Sequence, residues 1–200
     1  MRDSVQPQST RDAILDATDR LLARFGYKKM TIDDLAKEVG IGKGSVYLHF
    51  SSKEEIALSH IDRIIERLKR NLNAIAAKTA PPEERLRLMM IERVMYRFDS
   101  VQHYTQSLND LLAVLRPKLL ERRKEYFDEE ARIFSTVIAE GQASGLFAAG
   151  DAFDLAQTLV IATNSLLPYS LSAFELGDRG DLASRAKKTA KILIRGLMRR

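Results

Sequence analysis

The sequence contains no cysteine and no tryptophan among its 200 residues. Without cysteine there is no disulfide framework, no thiolate metal site and no thiol nucleophile, which fits a reducing compartment. Aromatic residues make up only 7%, which argues against an aromatic cage for a quaternary cation. No charge-free apolar run approaches the length that spans a bilayer, and the opening stretch M-R-D-S-V-Q-P-Q-S lacks the apolar segment of a signal peptide. The expected location is therefore the cytoplasm, with no membrane partner. Also missing are G-x-S-x-G, a glycine-rich phosphate loop and H-E-x-x-H, so His49, His60 and His103 have no partner motif for nucleophilic or zinc chemistry. No cofactor, metal or catalytic residue is expected, and an enzyme is the weakest reading. Strand-like alternation is absent as well.

What is present is a helical pattern in a globular composition, 45% hydrophobic and 30% charged. A net charge of +5 and a pI near 9.4 permit a polyanionic partner. They do not require one, since much of the excess lies in the last helix (Lys187, Lys188, Lys191, Arg195, Arg199, Arg200), where cations suit a helix C-terminus.

The chain is organised around T-I-D-D-L-A-K-E-V-G-I-G-K-G-S-V-Y-L-H-F-S-S-K, residues 31–53. Thr31 can cap a helix whose first turn carries Asp33 and Asp34; Ile32, Leu35, Ala36 and Val39 follow at helical spacing, and Gly40 can end it in the left-handed conformation. A second short helix after Gly42 turns Val46 and Phe50 inward and leaves Lys43, Gly44, Ser45, Tyr47, Leu48 and His49 outside. Such a face suits the major groove, where the backbone must approach closely and donors must meet base edges and phosphates.

Before this motif, residues 1–8 read as a flexible tail, and a capped helix from Ser9 buries Ile14, Leu15, Thr18, Leu21, Leu22 and Phe25 before Gly26 stops it. After it, Ser52 and Glu55 open a long helix with the stripe Ile61, Ile64, Ile65, Leu68, Leu72 and Ile75. Further helices follow: one through Met89 to Phe98, one from Gln102 to Val114, one begun by Pro117 and ended at Gly141–Gly145, one capped by Asp151 that Pro168 either kinks, freeing the Asn164 carbonyl, or bends or ends, and a last one from about Asp181. The expected architecture is all-α with about nine helices: a helix-turn-helix DNA-binding domain at 9–53 and a ligand-binding and dimerisation domain at 54–200. The last two helices carry more apolar surface than one packing face needs, which suits a homodimer formed as a four-helix bundle.

Residues 31–55, with the preceding helix, closely resemble the helix-turn-helix of the TetR family of bacterial transcription regulators, through Ala36, Gly40, Gly44, Tyr47, His49-Phe50 and Lys53. The later Gly141-x-x-x-Gly145-x-Phe147 break is also similar. The resemblance implies a DNA-binding repressor. Lys43, Gly44 and Ser45 would make base or phosphate contacts, Tyr47, His49 and Lys53 would contact phosphates, and Thr31 would meet a phosphate at a helix N-terminus. Leu48 would touch a thymine methyl or pack against a neighbouring helix. Each polar residue also has a structural alternative: Tyr47 as core with its hydroxyl at the rim, His49 as plain surface, Lys53 paired with Glu54 or Glu55.

The implied partners are double-stranded DNA, a second copy of the chain, and a small-molecule effector. An apolar pocket with a few polar anchors can be assembled from Met89, Met95, Tyr96, Phe98, His103, Tyr104, Phe127, Phe134, Asn164 and Tyr169, although the same residues suit a plain core. The alternative function is an architectural or partner-controlled DNA-binding protein without a ligand. The fourth helix alone is expected to join the reading motif to the rest.

Overall fold

The computed structural model describes residues 9–168 and 177–199, with residues 105–107 described by their backbone alone. The expected tail at 1–8 and the candidate Tyr169 lie outside the described residues. Eight α-helices are present among those residues: α1 (Thr10–Lys29), α2 (Ile32–Val39), α3 (Lys43–Tyr47), α4 (Lys53–Ala76), α5 (Pro82–Val101), α6 (Thr105–Ala143), α7 (Ala152–Ala162) and α8 (Arg179–Leu197). Short 3-10 turns at Gln102–Tyr104 and Thr163–Leu166 follow α5 and α7. The described residues hold no strand, only an isolated bridge between Phe147 and Met198. No helix among them is long and apolar enough to cross a membrane.

The helices begin where side chains take up the free N–H groups of a first turn. Ser9 Oγ accepts from the Asp12 N–H at 3.1 Å, and Asp151 accepts from the N–H groups of Phe153 and Asp154 at 2.8 and 3.0 Å. At α4, Ser52 Oγ accepts from the Glu55 N–H at 3.1 Å, while the Glu55 carboxylate turns back to the Ser51 N–H. The last helix, expected from about Asp181, begins at Arg179, with Asp178 as its cap accepting from the Asp181 N–H at 2.8 Å.

The chain divides into two compact units. Among the described residues, one comprises 9–63 with 103–116, the other 64–102 with 117–168 and 177–199. Both differ from a division after Lys53, since the start of α4 and the first turns of α6 go with the reading motif. The expectation that α4 alone links the two halves is corrected on the same ground: α6 also runs from one unit into the other.

In the first unit Ile14, Leu15, Leu21, Leu22, Leu35, Val46, Phe50 and Ile56 are all buried. Phe25, expected among them, is 41% exposed, and Tyr27 and Met30 are buried instead. Gly26, with a φ of 71°, breaks the helix after Phe25 and turns Tyr27 and Met30 of the final turn into the core.

The second unit is built on Leu68 and Leu72 of α4, Leu86, Met89 and Met90 of α5, Phe134, Val137 and Ile138 of α6, Leu159 and Val160 of α7, and Ala190 and Leu197 of α8. The Gly141-to-Phe147 break is a packing device. A Cβ on Gly141 would lie 2.1 Å from Phe147 Cδ2, and Gly145 takes a left-handed φ of 74°. The chain then runs beside the end of α8, with the Ala148 N–H donating to Leu197 O at 2.8 Å and the Arg199 N–H to Leu146 O at 3.0 Å.

The structure revises the reading of Pro117 and decides that of Pro168 for an ended helix. Pro117 does not begin a helix but lies inside α6. It withdraws the N–H that the Ala113 carbonyl would accept, yet Ala113 and Pro117 are both exposed, and water can take that place. Pro168 does not kink a helix. Leu167 is extended (φ −91°, ψ 149°), as the residue before proline prefers, so the helical run has ended already. Nor is the Asn164 carbonyl freed, because it accepts from the Leu167 N–H at 3.2 Å.

Candidate nucleic-acid interface

The reading motif is held from its ends. Thr31 and Asp34 form a reciprocal cap: the Asp34 N–H donates to Thr31 Oγ1 at 3.1 Å, and the Thr31 N–H donates to Asp34 Oδ2 at 3.0 Å. Hydrogen bonds from Thr31 hold the Asp34 carboxyl below its usual range, with Lys37 and Arg24 adding to the effect. Gly40 closes α2 in the left-handed conformation (φ 77°), and its N–H donates to Ala36 O at 2.9 Å. Two residues later Gly42 opens α3.

Only Lys43–Tyr47 is helical in α3, a shorter element than its apolar spacing implied. Val46 and Phe50 anchor it, at 0% and 2% exposure. That leaves Lys43, Gly44, Tyr47, Leu48 and His49 exposed, with Ser45 half-buried. The core alternative for Tyr47 does not hold, since it is 49% exposed; packing of Leu48 on a neighbour does not hold either, since it is 85% exposed. A Cβ on Gly44 would meet nothing within 4 Å, so its backbone lies open to an approaching surface.

Two of the basic candidates already have partners. Lys43 Nζ donates to Asp33 Oδ2 at 2.8 Å, and this hydrogen bond and charge together raise the lysine's pKa. Lys53 does not pair with Glu54 or Glu55 through its ammonium. It reaches back to α1, donating to Tyr27 O at 3.0 Å and Met30 O at 3.2 Å, and lies 4.5 Å from the centre of the Tyr27 ring. Lys53 thus fastens the corner leading into Thr31. Burial, reinforced by Glu54, raises the Tyr27 phenol to about 12.

The nine described effector candidates do not form one group. Met89 and Phe134 are buried in the main core of the second unit, with Tyr96 and Phe127 packed on its edge. Met95 and Phe98 belong to a separate cluster with Leu166, Leu167 and Leu182. Asn164 is nearly buried. His103 and Tyr104 fall in the first unit, where the Tyr104 hydroxyl is 3.5 Å from His60 Nε2 and His103 Nε2 is 3.7 Å from Asp19 Oδ2.

A buried ion cluster in the second unit went unseen in the sequence. Arg93 Nε donates to Glu130 Oε2 at 2.5 Å and its Nη1 to Thr163 Oγ1 at 2.9 Å, while Arg97 Nη2 donates to Glu130 Oε1. Arg93 and Glu130 are fully buried. Burial opposes the charge on Glu130, but Arg97 and Arg93 outweigh it and hold the carboxyl below its ordinary range. The available signal was the spacing of Met89, Arg93 and Arg97, which puts two arginines on the apolar face of α5.

Residues 14–59 match the family described as bacterial regulatory proteins, tetR family. The HTH-type transcriptional repressor KstR2 of Mycolicibacterium smegmatis is 30% identical over 148 residues, covering 71% of this chain and 69% of that protein. The fatty acid metabolism regulator protein of Bacillus subtilis is 24% identical over 192 residues, covering 92% of this chain and 93% of its own length. Among solved structures, a TetR-family transcriptional regulator from Pectobacterium atrosepticum matches with a TM-score of 0.76 at 19% identity, over 96% of this chain and 95% of that one.

Proposed function

Because the chain belongs to the TetR family of bacterial regulatory proteins, we propose that it is a DNA-binding transcriptional repressor that grips a near-palindromic operator as a homodimer and is released by a small molecule. The observation that carries this reading is the exposed face of α3, mounted on a fully capped α2 and pinned by Val46 and Phe50. Thr31, Tyr47, His49 and Lys53 are the positioning contacts to phosphate, and Lys43, Gly44 and Ser45 meet base edges or the adjacent backbone. Supporting the dimer, Ile161 of α7 is 66% exposed and Ile192 of α8 is 70% exposed, with Gly196 opening onto free space one turn beyond Ile192.

Release follows by linkage. An effector that weakens DNA binding is itself held less tightly by the DNA complex, whatever route carries the coupling. Continuous α4 and α6, each running through both units, are the natural carriers. The name of the Bacillus subtilis relative makes fatty acids the first compounds to test.

The test is selection from a random DNA pool with protein refolded free of bound small molecules. A near-palindromic consensus with half-sites a whole number of helical turns apart, about 10 base pairs or a multiple, is the expected result. No enrichment at moderate salt would overturn the proposal.

A further inference from the structure

We propose that Leu48 is a specificity-determining residue that reads the C5-methyl group of a pyrimidine in the operator. This rests on the DNA-binding reading above and adds which base-edge group is recognised. The face of α3 has few side chains able to discriminate bases. Lys43 is held by Asp33 at 2.8 Å, Gly44 has no side chain, and Ser45 is short and half-buried. Leu48 is different: it is 85% exposed, the highest value among the exposed large hydrophobic residues of the described part. It cannot hydrogen-bond, so the one feature it can distinguish in the major groove is the methyl group that thymine carries and cytosine lacks.

The local backbone suits such a contact. Leu48 follows Gly44 by one helical turn, its N–H donating to Gly44 O at 3.1 Å, so the two share a face. A Cβ at Gly44 would meet nothing within 4 Å. An exposed leucine beside a stretch of bare backbone makes a shallow apolar step, into which a methyl can settle without displacing a polar side chain. Val46 and Phe50, which fix this turn, point the other way and are buried.

The experiment uses the selected operator and replaces each thymine, one symmetric pair at a time, by uracil, which removes only the methyl group. Binding of the full-length protein is followed by fluorescence anisotropy at fixed salt. One pair is expected to lose about fourfold in affinity per half-site, the effect of a single buried methyl-sized group. Leu48→Ala and Leu48→Asn should lose that dependence while keeping the thermal midpoint of the parent. Cytosine selected at every position where Leu48→Ala changes base preference would also overturn the inference, because the pool offered the thymine methyl there and it was not taken. A consensus at which parent and variants respond alike to every methyl deletion would overturn this inference and leave the repressor reading standing. Failure to select any consensus would overturn both.

Discussion

Two regions of the molecule, the motif at residues 31–53 in the first unit and the core of the second unit, place their charged groups in opposite ways. Within the motif the pairs are near in sequence and open to solvent: Thr31 with Asp34 three residues apart, Lys43 with Asp33 ten apart. In the second unit the central pairs are distant and enclosed, Glu130 lying 33 and 37 residues from Arg97 and Arg93, and Thr163 lying 70 from Arg93. Local, exposed pairs shape a surface at little energetic risk, because water can replace either member. Distant, buried pairs commit the fold, because removing one member strands the others in a medium that cannot solvate them.

The largest expected effect tests that commitment. Glu130→Ala leaves two arginines without the carboxylate that both address, and should cost about 3–5 kcal/mol in urea unfolding. A loss no greater than that of an ordinary surface substitution would break the contrast between the units. The same carboxylate gives a pH signature. Its folded pKa is lowered, so its contribution is complete above the unfolded value of about 4.3 and is lost as pH falls through the folded value. The parent should therefore lose more stability on acidification below about pH 4.3 than Glu130→Gln does.

Next in size is the packing of the break after α6. Gly141→Ala places a methyl 2.1 Å from a Phe147 ring carbon, and the shift this forces should cost about 1–3 kcal/mol. Thermal unfolding should show part of that loss returned in Gly141→Ala/Phe147→Leu, since the smaller side chain vacates the space. Loss without recovery would place the requirement for glycine in the backbone instead of against the ring.

These two sites also mark where sequence reasoning reached its limit. The motif was legible because each of its determinants acts within one or two turns: Thr31 caps Asp34, Gly40 turns the chain, and Val46 and Phe50 share a face. The Gly141–Phe147 break was visible as a pattern, but its reason, a ring over a glycine, required the fold. Arg93, Arg97 and Glu130 were invisible as a set because nothing local says that α5 and α6 oppose those faces. Misreadings at Phe25 and Pro117 have a similar origin. Phe25 keeps the helical spacing of Leu21 and Leu22 yet is 41% exposed, because spacing does not tell how far along a helix its neighbours reach, and a proline taken as a start signal sits on an exposed face where an interior proline is tolerated.

The smallest expected effect concerns Asp33 and bears most directly on DNA. Asp33 stabilises α2 as a first-turn anion and also pairs with Lys43 at 2.8 Å, both side chains more than half exposed. These two roles act in opposite directions once a phosphate backbone approaches. Asp33→Asn should cost about 0.3–1 kcal/mol of stability through the helix dipole. It should also strengthen DNA binding, because a negative charge leaves the interface and the Lys43 ammonium is released to a phosphate. The slope of log affinity against log salt should steepen by up to about one unit. In Asp33→Asn/Lys43→Ala the added slope should vanish, since the cation that Asp33 restrained is gone. Stability and affinity moving in the same direction would show that the exposed pair works for the fold, as the buried cluster does, and the distinction between the two units would fail at the surface where it matters for recognition.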